Sequence, residues 1–343
     1  MKKPACGLLY GNDIHHLDHI APFCAILGIP LILTDTTIQW IAAQNYPDLN
    51  TCHIPIETLP EQIVPIYDVL FSCLPTQLLD PIFSFTEHSL RKKLLYSWLP
   101  HGNSDKDNLA ALMAEKHLLV YGNQMKDTLK RKAVVEKVRH ITTIGNFRRL
   151  YYLKYKDSLD RLAAHHTQFK HLKSKTILYA PTWGTRNLAK STHTLLHLFP
   201  SDYNLLIKFH PNTLSTGFAL AIKEAFSEKD NIRFIDDFPS IYPLLNHTEI
   251  YIGDHSSIAY DFLSFNRPLY YFTNGKTPIH HTGAITTPED LFKQIEQKAD
   301  IYAQARHDLY HYAFDDSIDL EQIPSLIDAS IERYFQEEPH ILD

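Results

Sequence analysis

Short apolar runs alternate with longer amphipathic segments along almost the whole chain. ACGLLYG, PLILTD, YDVLFSC, KLLYSWL and HLLVYGN read as strands, with HHLDHIAPFCAILG and TIQWIAAQ as helices. KTILYAPTW, YNLLIKFHP, NIRFID, TEIYIGD and PLYYF repeat the pattern further on. This βαβ rhythm predicts α/β architecture with mostly parallel sheets covered by helices. It breaks once, near 150–173, where the chain is polar, helical and without a strand. A chain of 343 residues is long enough for two cores. The expected division is a Rossmann-like domain over 1–160, a second over 173–315, and a closing amphipathic helix in 316–343.

Apolar residues make up 44% and charged residues 21%, a globular balance. A formal charge of -6 gives no broad basic face, so no nucleic-acid partner is expected. Cys6, Cys24, Cys52 and Cys73 form no C-x-x-C pair and lie among apolar neighbours, which predicts buried, reduced thiols. Asp13 and two histidines interrupt the N-terminal apolar stretch too early for a signal sequence, and no run is long enough to span a bilayer. A cytoplasmic location is expected. The basic stretch KVRHITTIGNFRRLYYLKYK, 137–156, leaves open a peripheral contact with the inner face of a membrane; a solvated linker explains it equally well.

Ligands of open α/β sheets sit beyond the carboxyl ends of the strands. Several of the loops there are strongly polar. Asp254-His255-Ser256-Ser257 stand where TEIYIG gives way to a helix. The first N–H groups of a helix and the two hydroxyls suit a phosphate; an ordinary helix cap accounts for the same residues. In LLIKFHPN, Pro211 ends the ladder, so His210 projects beside Lys208 and Asn212, either towards a phosphate oxygen or into solvent. In YSWLPHGNSDKD, Gly102 permits a tight turn after His101, with Lys106 nearby. That histidine is able to take a hydroxyl proton, or belongs to a surface loop. In ILYAPTWGTR, Arg186 offers a donor fork for phosphate and Trp183 a pocket wall beside Pro181 and Thr182; packing and solvation are the plain alternatives. HHLDH places His15 and His19 at metal-ligand spacing with Asp18, but a half-solvated helix face is preferred. His165, His166, His280 and His281 read as surface residues. The chain has neither G-x-G-x-x-G nor a Walker sequence, so any nucleotide is held by another scheme.

Taken in order, these segments resemble the CDP-glycerol glycerophosphotransferase family of teichoic-acid primases and polymerases. The likeness is carried by His101-Gly102, IGNFRR at 144–149, ILYAPTW, IKFHPN, IGDHSSIAYDF and NRPLYYF. It departs at Leu99-Pro100 and Asn103-Ser104 around the histidine, at Gly184-Thr185 before Arg186, and in NGKTPIHHTG after LYYF. The resemblance implies a GT-B fold of two facing Rossmann-like domains. It also implies transfer of a glycerol-phosphate-like group from a CDP-linked donor to an acceptor hydroxyl, lipid-linked in the family, with release of CMP. It casts His101 as general base and His210 as a histidine near the donor phosphates. Asp254, Ser256 and Ser257 match the phosphate-binding helix start, joined by His255, Arg186, Lys208 and Asn212. Pro181, Thr182 and Trp183 fall to the nucleotide pocket, and His15, His16 and Lys106 to the acceptor side. No cofactor and no metal is expected. The alternatives are a glycosyltransferase of the same fold using a CMP- or UDP-sugar, and a non-catalytic nucleotide-binding relic.

Overall fold

The computed structural model describes residues 1–105, 109–166, 175–184, 187–236, 238, 240–273, 275–297 and 299–337. The chain forms two compact units. Unit 1 comprises Met1–Gly102, Lys106–Lys154 and Tyr312–Asp343; unit 2 comprises Asn103–Asp105 and Tyr155–His311. The expected division differs in two places. The boundary falls after Lys154, and the C-terminal segment packs as part of unit 1. Its helix, Ile323–Glu337, buries Ile323, Ile327, Ile331 and Tyr334 at helical spacing.

In unit 1 the strands are β1 (Ala5–Leu9), β2 (Leu31–Leu33), β3 (Thr51–His53), β4 (Val69–Ser72), β5 (Leu95–Trp98), β6 (His117–Val120) and β7 (His140–Thr143). They lie in the order β3-β2-β1-β4-β5-β6-β7. In unit 2 they are β8 (Thr176–Tyr179), β9 (Asn204–Ile207), β10 (Ile232–Phe234), β11 (Ile250–Gly253), β12 (Leu269–Tyr271) and β13 (Ala284–Ile285), in the order β10-β9-β8-β11-β12-β13. The strand pairs are parallel, as in β1 with β4 and β8 with β11.

Why these runs become strands follows from burial. β1, β4, β5, β8 and β9 are buried at every position, so they read as continuous apolar runs rather than alternating ones. Each sheet starts at its centre, builds to one side, then returns to build the other. The reversal leaves a switch point between β1 and β4 in unit 1, and between β8 and β11 in unit 2. Three thiols, Cys6, Cys24 and Cys73, are buried as expected, but Cys52 is exposed because β3 lies at a sheet edge.

Candidate functional site

At the unit 2 switch point, Asp254 follows β11 and faces the loop after β8. Its carboxylate accepts from the Thr182 N–H at 3.1 Å and from the Thr182 hydroxyl at 2.6 Å. Asp254 is only 2% exposed. It and Thr182 therefore brace two loops against each other. Pro181 is buried and lines a small hollow with Tyr179, Ser191, Gly253, Asp254 and Phe272. Tyr251 adds a second tie. Its buried hydroxyl donates to the Ala180 carbonyl at 3.1 Å. A Cβ at Gly253 would lie 2.4 Å from that hydroxyl, so the position has room only for glycine.

Ser256 is the N-cap of the helix Ser257–Phe262, and its hydroxyl accepts from the Ile258 N–H at 3.3 Å. The cap reading accounts for this contact of Ser256. Ser257 is half-buried at the first helical position, and its hydroxyl has no hydrogen-bond partner among the described residues. His255 is half-buried beside it.

His210, after β9, caps the short helix Pro211–Leu214. Its Nδ1 accepts from the Asn212 N–H at 3.2 Å. Nδ1 is thus an acceptor, and the neutral ring carries its proton on Nε2, where it is a donor. The half-exposed Trp183 ring lies 6.1 Å from it, centre to centre. Asn212 acts through its backbone, while Lys208 donates to the Phe238 carbonyl at 3.2 Å. Arg186 lies outside the described residues.

Two groups here carried no signal in the sequence reading. Asp105 accepts from the Tyr260 hydroxyl at 2.5 Å and from the Ile279 N–H at 3.2 Å, tying the Pro278–Thr282 turn to the serine-headed helix. His280, expected at the surface, is 5% exposed. Its Nδ1 accepts from the Thr277 N–H at 3.2 Å in a capping box, and burial lowers its pKa.

In unit 1, His101 follows β5 and is exposed, with its loop pinned on both sides. Tyr121, after β6, donates to the Pro100 carbonyl at 3.1 Å and accepts from the Gly102 N–H at 3.2 Å. Gly102 sits at φ 118, a left-handed conformation that suits glycine. The His101 ring lies 4.9 Å from His16 and 6.2 Å, edge-on, from Trp98. Lys106 lies outside the described residues, and the His15 ring lies 4.3 Å from His16, tilted by 51°.

HHLDH is not half-solvated. His16, Asp18 and His19 are buried on the helix Ile14–Leu27, against which the helix Phe147–Lys154 packs. Arg148 on that second helix forms a buried ion pair with the Asp18 carboxylate and also donates to the Asp18 carbonyl at 3.1 Å. The Tyr46 hydroxyl donates to Asp18 at 3.1 Å. Burial, with lesser effects of His101 and His15, pushes His16 down to about 2. Burial, followed by Arg148, holds His19 well below its ordinary value. No group of three His, Cys, Asp or Glu side chains among the described residues is placed to hold a metal. Arg148→Ala is expected to strand the Asp18 carboxylate and remove about 3–5 kcal/mol of unit 1 stability, read as a lower urea midpoint. An unchanged midpoint would show that the ion pair contributes nothing net to unit 1.

Comparison with known proteins puts these loops in context. Wall teichoic acid polymerase TagF superposes with a TM-score of 0.64 at 17% identity, over 97% of this chain and 89% of that one. A variant of TagF has been studied after soaking with CDPG. UDP-GlcNAc 2-epimerase from Neisseria meningitidis, bound to UDP-GlcNAc, superposes at 0.60 with 13% identity, over 96% of this chain and all of that one. Together with the two switch-point sheets, these likenesses define a GT-B fold. The model of the CDP-Glycerol:Poly(glycerophosphate) glycerophosphotransferase family matches residues 105–283. The chain belongs to that family, and so to the transferases. The teichoic acid glycerol-phosphate primase of Bacillus subtilis (strain 168) is 29% identical over 108 residues, which is 29% of this chain but 26% of the primase. The aligned stretch thus spans about a quarter of that relative.

Proposed function

We propose that the protein transfers a glycerol-phosphate-type group from a CDP-linked donor to an acceptor hydroxyl. The acceptor oxygen forms a bond to the distal phosphorus, and the bond from that phosphorus to the bridging oxygen breaks. CMP leaves with the electron pair, and the acceptor proton passes to His101. His210, as an Nε2–H donor, and Ser257, at the helix start, meet the charge on the phosphates. Donors placed where charge develops are worth about 2.7–4 kcal/mol each.

The observation that carries this reading is the family match over 105–283, which takes in the loops after β8, β9 and β11. The acceptor is read as a hydroxyl of a lipid-linked glycerol phosphate. No helix among the described residues is long and apolar enough to cross a membrane. In the basic 137–156 stretch, Arg148 is turned inward to Asp18, so any surface attraction there rests on the remaining charges. The likeness to a UDP-GlcNAc epimerase supports a second reading, a UDP-sugar enzyme of the same fold.

Both readings meet in one assay. The protein is incubated with CDP-glycerol or UDP-GlcNAc, with and without a detergent-dispersed lipid-linked glycerol phosphate. CMP appearing in step with glycerol phosphate on the lipid is the expected result. Intact CDP-glycerol, with UDP released or UDP-GlcNAc epimerised, would overturn it.

A further inference from the structure

We infer that His16 is a positioning residue for His101: its buried ring fixes the orientation of the exposed imidazole at the end of β5. The inference rests on the reading of His101 as the base.

The two rings lie 4.9 Å apart, tilted by 57°. His16 is 8% exposed, whereas His101 is exposed, so one ring is held by the protein interior and the other leans on it. Trp98, itself buried, is a second ring neighbour, 6.2 Å from His101 and edge-on. Tyr121 fixes the backbone on either side of His101 through Pro100 and Gly102. What the backbone leaves undetermined is the rotation of the side chain about its own bonds, and the two neighbouring rings restrict it.

His16 is well suited to this work. It sits in the first turn of the helix Ile14–Leu27, which packs on β1 and on the helix Phe147–Lys154. The Asp18–Arg148 ion pair anchors that same turn two residues on. Burial keeps the His16 ring uncharged at neutral pH, so it does not act as a cation towards a phosphate and does not compete as a base. The expected acceptor-side contact for His16 thus becomes a contact with His101.

A base displaced by about 1 Å loses on the order of 100-fold in rate. His16→Ala is expected to lower kcat with CDP-glycerol by about 10–100-fold, with KM for the donor unchanged. His16→Phe, which restores a planar ring, is expected to recover most of the loss and also controls for folding. In a His101→Ala background, His16→Ala is expected to add nothing. A second readout needs no turnover: in protein labelled at its histidine rings, the His101 imidazole signals broaden or split in His16→Ala and stay single in His16→Phe. If His101→Ala is itself harmless, the base reading falls and this inference with it. If His101→Ala is crippled while His16→Ala keeps full kcat and unchanged His101 signals, the inference alone fails. An equal loss from His16→Ala and His16→Phe would also overturn it.

Discussion

Unit 1 is expected to lose stability steeply on acidification, beginning near pH 6.5. Three of its histidines are buried and held neutral. His16 is pushed to about 2 and His117 to about 3, each chiefly by burial, and His19 is held well below its ordinary value for the same reason. His117 is fixed between the Ser97 hydroxyl at 2.7 Å and the Ser330 hydroxyl at 2.9 Å, an arrangement suited to a neutral ring. In the unfolded chain all three return to about 6.5. Below that pH the unfolded state binds protons that the folded state refuses, so stability falls as pH falls. His16 and His117 each contribute about 1.4 kcal/mol per pH unit, roughly 6 kcal/mol for the two between pH 6.5 and 4.5, and His19 adds to the loss in the same direction. Glu115, raised by burial, works in the opposite sense, one group against three. A loss of that size is comparable with the whole stability of a typical domain, about 5–15 kcal/mol. Urea unfolding followed by circular dichroism at half-unit pH steps measures it. His117→Gln, which retains hydrogen-bonding capacity, is expected to flatten the slope by about 1.4 kcal/mol per pH unit. Stability that stays level from pH 6.5 to 4.5 would show that these rings protonate inside the fold.

The acid-sensitive cluster also shows where the sequence stops being legible. Strands fully buried on both faces announce themselves, so β1, β4, β5, β6 and most of unit 2 were readable as apolar runs. β3 (TCH) and β13 (AI) are too short to give a pattern, and β7 (HITT) is polar enough to pass for loop. The loops at the carboxyl ends are readable as sites of interest, because a βαβ rhythm makes the strands parallel and so gathers the loops that follow them along one edge of each sheet. Side-chain direction was not. DHSS is compatible with cap and anion seat alike, and only the contacts with Thr182 and with the Ile258 N–H show that Asp254 braces a neighbouring loop and that Ser256 caps its helix. HHLDH looked solvated because its cover, Arg148, stands 130 residues away along the chain. IGNFRR was noticed for its likeness to a family pattern; its physical role, neutralising Asp18, depends on a contact no local pattern encodes. His280 is hidden for a similar reason: in a chain with 21 histidines, none is conspicuous.

Replacing His101 and His210 in turn is expected to damage the reaction in different ways. A general base acts only as the proton moves, so its loss weakens the transition state and leaves donor binding alone. His101→Ala is expected to cut kcat by about 10²–10⁴-fold with KM for CDP-glycerol unchanged. Structural collateral is small on this account, because His101 is exposed and the loop is held by Tyr121 through backbone groups. His210 differs on both counts. A donor to phosphate touches the donor before and during the reaction, so His210→Ala is expected to raise KM as well as lower kcat, by about 10²–10³-fold in the latter. It also removes the cap on the Asn212 N–H, costing on the order of 1 kcal/mol of local stability. His210→Asn restores a capping acceptor but not the Nε2–H reach. It is therefore expected to recover stability without recovering kcat, which separates the two jobs of one side chain. The informative comparison is the KM split. If His101→Ala raises KM for the donor as much as His210→Ala does, His101 is a binding group and the base must be sought elsewhere. If both variants turn over CDP-glycerol at the parent rate, neither histidine takes part and the assignment of roles is wrong.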